Sequence, residues 1–106
     1  MKLIDVWINC PDAEVATRIA DDLIGSRHAA CANILGEIQS VYRWQGKVER
    51  EPEVPLVVKT RAELFDELAH RVAELHPYDT PGIIALPIER LNAAYGKWLI
   101  EQTHDP

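Results

Sequence analysis

Apolar residues recur along this chain with two periods, and the switches between them mark seven elements. From Lys2 to Asn9, Leu3, Ile4, Val6, Trp7 and Ile8 make a β-rich run, which predicts a strand buried on at least one face. Pro11-Asp12 breaks the run, and Asp12 is placed to cap a helix with Ala13 and Glu14 in its first turn. Val15, Ala16, Ile19, Ala20, Leu23 and Ile24 then recur at helical spacing, and Gly25-Ser26 closes the pattern. Ala29 to Thr60 reads as two long strands joined at Gln45-Gly46. Ile38, Val41, Tyr42 and Trp44 lie before the turn, and Val48, Val54, Val57 and Val58 after it. Pro52 and Pro55 cannot donate to a ladder, so that part of the second arm is an edge, a bulge or a bend. Thr60-Arg61-Ala62-Glu63 has capping-box spacing, with Thr60 as N-cap of a helix carrying Leu64, Phe65, Leu68, Val72 and Leu75. His76-Pro77 ends that helix. Ile83 to Ile88 reads as a strand closed by Pro87, and Asn92 to His104 as a helix with Tyr95, Trp98, Leu99 and Gln102 on one side.

The order β-α-β-β-α-β-α contains the split βαβ pattern of a ferredoxin-like α+β sandwich, with the last helix added. The hairpin is too long for such a fold. Each arm spans about 14 residues, or roughly 45 Å at ~3.3 Å per residue, whereas a domain of this size has a radius of gyration of about 13 Å. The arms therefore overhang the core and expose Tyr42, Trp44 and unpaired strand edges. The simplest cover is another copy of the chain.

The 106 residues fit one domain spanning 1–106, and 47% hydrophobic with 26% charged residues is a globular composition. A net charge of −6 argues against nucleic acid or an anionic membrane surface as partner. The opening MKLIDVWINCPD does not resemble a signal peptide, and no apolar run approaches a membrane span. Cys10 and Cys31, in no C-x-x-C or zinc-finger spacing, are expected to be reduced thiols in the cytoplasm. There is no Ser/His/Asp order and no hydrolase motif, so an enzyme is not expected.

Several short motifs run in order along the chain. Ser40-x-Tyr42-x-Trp44-x-Gly46-Lys47, Glu51-x-Glu53-Val54 and Val58-Lys59-Thr60 lie in the hairpin. His76-Pro77-Tyr78-x-Thr80-Pro81 lies in the later loop, with Ala29-Ala30-Cys31-Ala32 and Trp98 at the flanks. Together they resemble the CutA divalent-cation tolerance proteins over nearly the whole chain, from Cys10 to Trp98. The resemblance implies a ferredoxin-like fold, a compact homotrimer with long strands pairing between subunits, a cytoplasmic setting, and a part in tolerance of copper and other divalent ions.

It also implies candidate sites. Cys10 lies just before a helix start, where a thiol can have a lowered pKa and bind a soft metal, and it matches a proposed metal ligand of the family. The alternative is a small residue packed at a strand end. His76 matches the second residue of a His-His-Pro-Tyr loop, but Leu75 replaces the first His, leaving at most two ligands, a number that suits Cu(I) better than zinc. The other reading of His76 is a helix C-cap. Tyr42, Trp44, Glu51, Lys59, Tyr78 and Thr80 match positions near the clefts between subunits, where they either hold a small polar ligand or anchor the assembly. Cys31 and Trp98 are read as trimer packing. His28, His70 and His104 show no ligand spacing. The runner-up function, by likeness of fold to the nitrogen-regulatory PII proteins, is a small-molecule sensor with ligands in those clefts.

Overall fold

Alternation organises the first strand, β1 (Leu3–Cys10), in the computed structural model, which describes residues 2–105. Ile4, Val6, Ile8 and Cys10 point into the core, and Asp5, Trp7 and Asn9 point to the opposite face. Helix α1 (Ala13–Gly25) starts where Asp12 Oδ1 accepts a 2.9 Å hydrogen bond from the Val15 N–H, as expected of an N-cap. Val15, Ala16, Ile19, Ala20 and Leu23 form its buried stripe, while Ile24 is exposed.

The expected first arm of the hairpin is two strands, β2 (Cys31–Ile34) and β3 (Ile38–Trp44), both paired to the same partner, β4 (Lys47–Arg61). Ile34 pairs with Leu56 and Ile38 with Glu53, so residues 35–37 face only Val54 and Pro55. That one-residue surplus is a bulge, and it sits opposite Pro55, which has no N–H to offer. Gln45 and Gly46 close the β3–β4 hairpin with φ of 50° and 78°, the geometry of a type I′ turn.

Thr60 does not cap the next helix. It lies inside β4, and its hydroxyl donates to the His28 carbonyl at 2.6 Å. The strand runs on to Arg61, a 3-10 turn follows at Ala62–Leu64, and only then does α2 (Phe65–Leu75) begin, without a side-chain cap. Strand pairing and burial of Thr60 outweighed the local capping motif. Strand β5 (Ile83–Pro87) and helix α3 (Ala93–Gln102) complete the chain.

The fold is α+β, with an antiparallel sheet in the order β2-β4-β1-β5 and β3 continuing the β2 edge. Helices α1 and α2 cover one face through Ile19, Leu23, Leu68 and Val72, and Arg71 forks onto Asp22 to join them. The end of α3 is held by Arg61, whose guanidinium donates to the Ile100 carbonyl at 2.7 Å and to Thr103 Oγ1 at 2.7 Å. Because β1 pairs with β4 only from Val54 onward, β3 and the first part of β4 project as a two-stranded ribbon. The molecule accordingly measures 45 × 26 × 22 Å. No helix among the described residues is long and apolar enough to cross a membrane.

Candidate functional site

The sheet face opposite α1 and α2, which α3 covers at its Leu3–Arg61 end, carries a large concavity. Trp7 and Asn9 of β1, Ile84 and Leu86 of β5, Tyr42 and Trp44 of β3, Glu53 of β4 and the loop Tyr78–Thr80 line a cavity of ≈ 890 Å³. Alternation puts Trp7, Asn9, Glu53, Ile84 and Leu86 here, each one residue out of phase with a residue in or against the core, while β3 and the loop bring the rest. The walls are apolar and aromatic, and Glu53 and Tyr78 supply fixed polar groups, a common make-up for a ligand pocket or an interface.

The polar groups form a chain of hydrogen bonds. Tyr78 Oη donates to Glu53 Oε2 at 2.9 Å, and burial, followed by this bond and the Glu53 charge, holds the phenol well above its ordinary pKa. The Tyr78 backbone N–H donates to His76 Nδ1 at 3.2 Å. That nitrogen must therefore carry a lone pair, so the neutral ring has its proton on Nε2, which donates to the Asn9 carbonyl at 2.9 Å. Both ring nitrogens of His76 are thus engaged, and the residue is buried.

Cys10 lies on the other side of the sheet, fully buried in the core against the helices. The lowered pKa expected at a helix start is not found. Burial first, then the charges of Glu53 and Asp12, push the Cys10 thiol from 9.0 up to about 11. The helix start is already satisfied by Asp12, and that carboxylate opposes a neighbouring thiolate.

Of the six cleft residues read from the sequence, the fold gathers Tyr42, Trp44, Tyr78 and Thr80 around the cavity. Lys59 and Glu51 do not line it. Lys59 Nζ lies 3.7 Å from Asp5 Oδ1, beyond the Trp7 wall, and Glu51 is exposed on the ribbon opposite Ser40. Glu53, two residues from Glu51 on the same face of β4, takes the expected acidic place. Burial, then Glu51, Glu49 and Glu53, raise the Tyr42 pKa. Cys31 is half-buried beside the Lys59 pair, and Trp98 is exposed and stacked on Tyr95 with ring centroids 5.5 Å apart.

The CutA1 divalent ion tolerance protein model matches residues 4–102. The chain belongs to the CutA1 family. It is 45% identical over 101 residues to the divalent-cation tolerance protein CutA of Pyrococcus horikoshii, covering 95% of this chain and 98% of that protein. The Thermus thermophilus protein of the same name is 48% identical over 98 residues, covering 92% and 95% of the two chains. The solved structure of CutA1 from Oryza sativa superposes with a TM-score of 0.97 at 40% identity, covering 100% of this chain and 97% of that one.

This CutA1-family chain also holds a grouping that spacing did not reveal. His28, Glu67 and His104 come from three distant parts of the chain, yet their ligand atoms lie within 4.8 Å of one another. His28 and His104 show no ligand spacing along the chain, and only the fold brings them together. Nothing in the sequence marks the trio, because it is assembled by the turn after α1, the first turn of α2 and the segment after α3.

Proposed function

We propose that the protein serves divalent-cation tolerance as a homotrimer, taking up copper or another divalent cation weakly and without catalysis. The observation that carries this reading is the family match across residues 4–102. A ferredoxin-like subunit with an overhanging ribbon supports the trimer. The cavity face presents Trp44 at 50%, Leu86 at 48% and Ile84 at 61% exposure, a contiguous apolar surface suited to a second copy of the chain. The two free thiols fit a cytoplasmic setting.

Cys10 and His76 are the proposed copper ligands, and their surroundings account for weak binding. A thiol with a pKa of about 11 is thiolate in only about one part in 10⁴ at pH 7, against about one in 10² for an ordinary thiol at 9.0, so metal affinity falls by about 100-fold. His76 must also release the Asn9 carbonyl or the Tyr78 amide before it can ligate. Native mass spectrometry with copper under reducing conditions tests both parts. The expected result is a trimer with saturable copper uptake that falls in Cys10→Ser and His76→Ala. A monomer, or a trimer that takes up no copper, rejects the corresponding part.

The second reading is a PII-like sensor, favoured by the cavity and its Glu53–Tyr78 pair. It predicts a thermal shift with a small cationic or apolar metabolite that is lost in Tyr78→Phe.

A further inference from the structure

Three Lewis bases converge where the turn after α1, helix α2 and the C-terminal segment meet. His28 Nε2 lies 3.5 Å and His104 Nε2 3.7 Å from the same oxygen, Glu67 Oε1. The imidazoles meet edge to face, with centroids 4.5 Å apart and planes at 81°. Backbone bonds hold the parts in place. The His28 N–H donates to the Leu23 carbonyl at 3.0 Å, and the His104 N–H donates to the Arg27 carbonyl at 2.9 Å.

The remaining ring nitrogens settle the protonation of the neutral pair. His104 Nδ1 lies 2.7 Å from the Asp105 carbonyl, which can only accept, so Nδ1 carries the proton. His28 Nδ1 lies 2.7 Å from Ser26 Oγ, whose own proton goes to the Leu23 carbonyl at 3.3 Å, so here too Nδ1 donates. Both Nε2 atoms therefore point bare lone pairs at a carboxylate oxygen. His104 Nε2 is buried with no hydrogen-bond partner among the described residues, and the His28 side chain is only 12% exposed. With both rings neutral, three facing acceptors repel one another unless a proton or a metal cation lies between them.

We propose that His28, Glu67 and His104 form a resident site for a divalent transition-metal ion of the zinc class, with water completing its coordination. Two imidazoles and a carboxylate suit Zn(II) in a four-coordinate site. With bonds of ~2.0–2.2 Å, tetrahedral ligand atoms lie ~3.3–3.5 Å apart. The two Glu–His separations of 3.5 and 3.7 Å are already close to that. Ser26 and the Asp105 carbonyl orient the rings through their other nitrogens, as outer partners of metal-bound histidines do. An ion here clasps the C-terminal segment to α2 and to the turn after α1.

The site is independent of the copper reading above. His28 is bonded to Thr60, which pairs with Ile4, whereas Cys10 lies six residues further along β1, about 20 Å away.

The test is zinc binding by the full chain, with zinc chloride alone as probe, read by calorimetry and by zinc-edge X-ray absorption. The expected result is one saturable zinc per chain in a nitrogen and oxygen shell with imidazole scattering and no sulfur. Binding should persist in Cys10→Ser, disappear in His104→Gln, and weaken about 10–100-fold in Ser26→Ala, a change that leaves all three ligands in place. Zinc should also raise the melting temperature of the wild type and not of His104→Gln. Absence of saturable zinc, a sulfur-containing shell, or full binding in His104→Gln would overturn the proposal. The absorption spectrum of the wild type decides the matter even where a variant misfolds.

Discussion

Strand β4 has two halves with different surroundings. From Lys47 to Pro52 its side chains are mostly exposed, Val48 at 57%, with β3 as the only paired strand among the described residues. From Val54 onward it lies between β1 and β2 beneath two helices, and Leu56 and Val58 are fully buried. Lys47–Pro52 holds one valine among four charged residues, whereas Val54–Arg61 holds three valines, so composition already leans the same way. The number of layers completes the difference: one half is covered by its own chain, and the other is a bare ribbon whose proposed cover is a second copy. A β-rich run reports a demand for cover and is silent on who supplies it.

The strongest way to break this comparison is to truncate the buried half. Leu56→Ala should cost about 2–5 kcal/mol in urea unfolding, because it leaves a cavity between sheet and helices. A smaller loss would mean that the core can collapse around the gap.

Next comes a pH test of the same half. Folded Cys10 keeps its proton to about pH 11, while an unfolded thiol loses it near 9.0. This stability is complete below pH 9 and declines as pH rises toward 11, by about 2–3 kcal/mol in all. Unfolding followed across that range should show a shallower decline in Cys10→Ala than in the wild type; equal slopes would reject the thiol as the source.

The ribbon should respond to its turn more than to its side chains. Gly46 has φ of 78°, and an added Cβ there meets nothing within 4 Å, so Gly46→Ala measures backbone strain alone, about 1–2 kcal/mol. Denaturant titration checks this, and Gly46→Asn, which tolerates the left-handed region, should recover part of the loss.

The smallest effect sharpens the comparison most. Val48→Ala should change the stability of a separated subunit by no more than about 0.5 kcal/mol. If the intact assembly loses much more, measured at a protein concentration where it is fully formed, the ribbon is covered by another chain.

Much of the fold was legible because its signals are local. Asp12 caps α1 as read, the Gln45-Gly46 turn lies where expected, and the overhang follows from strand length. Thr60 was misread because a four-residue motif carries no information on whether the backbone there is already paired in a sheet. The break at residues 35–37 depends on Pro55 across the sheet, about twenty residues away in sequence. At the site, Tyr42, Trp44, Tyr78 and Thr80 were found from their motifs, but Glu51 was chosen where Glu53 serves, since the two share a face of β4 and only the position of the Tyr78 loop in space distinguishes them.

By itself the sequence determined the elements, the α+β class, the overhanging hairpin and the family, because periodicity, turn residues and ordered motifs are properties of short segments. Only the tertiary structure decided the chemical state of the side chains. It buried Cys10 beside carboxylates, occupied both nitrogens of His76, and brought His28, Glu67 and His104 together from three ends of elements. A pKa or a ligand set depends on groups within a few ångströms in space, and such neighbours come from anywhere in the chain.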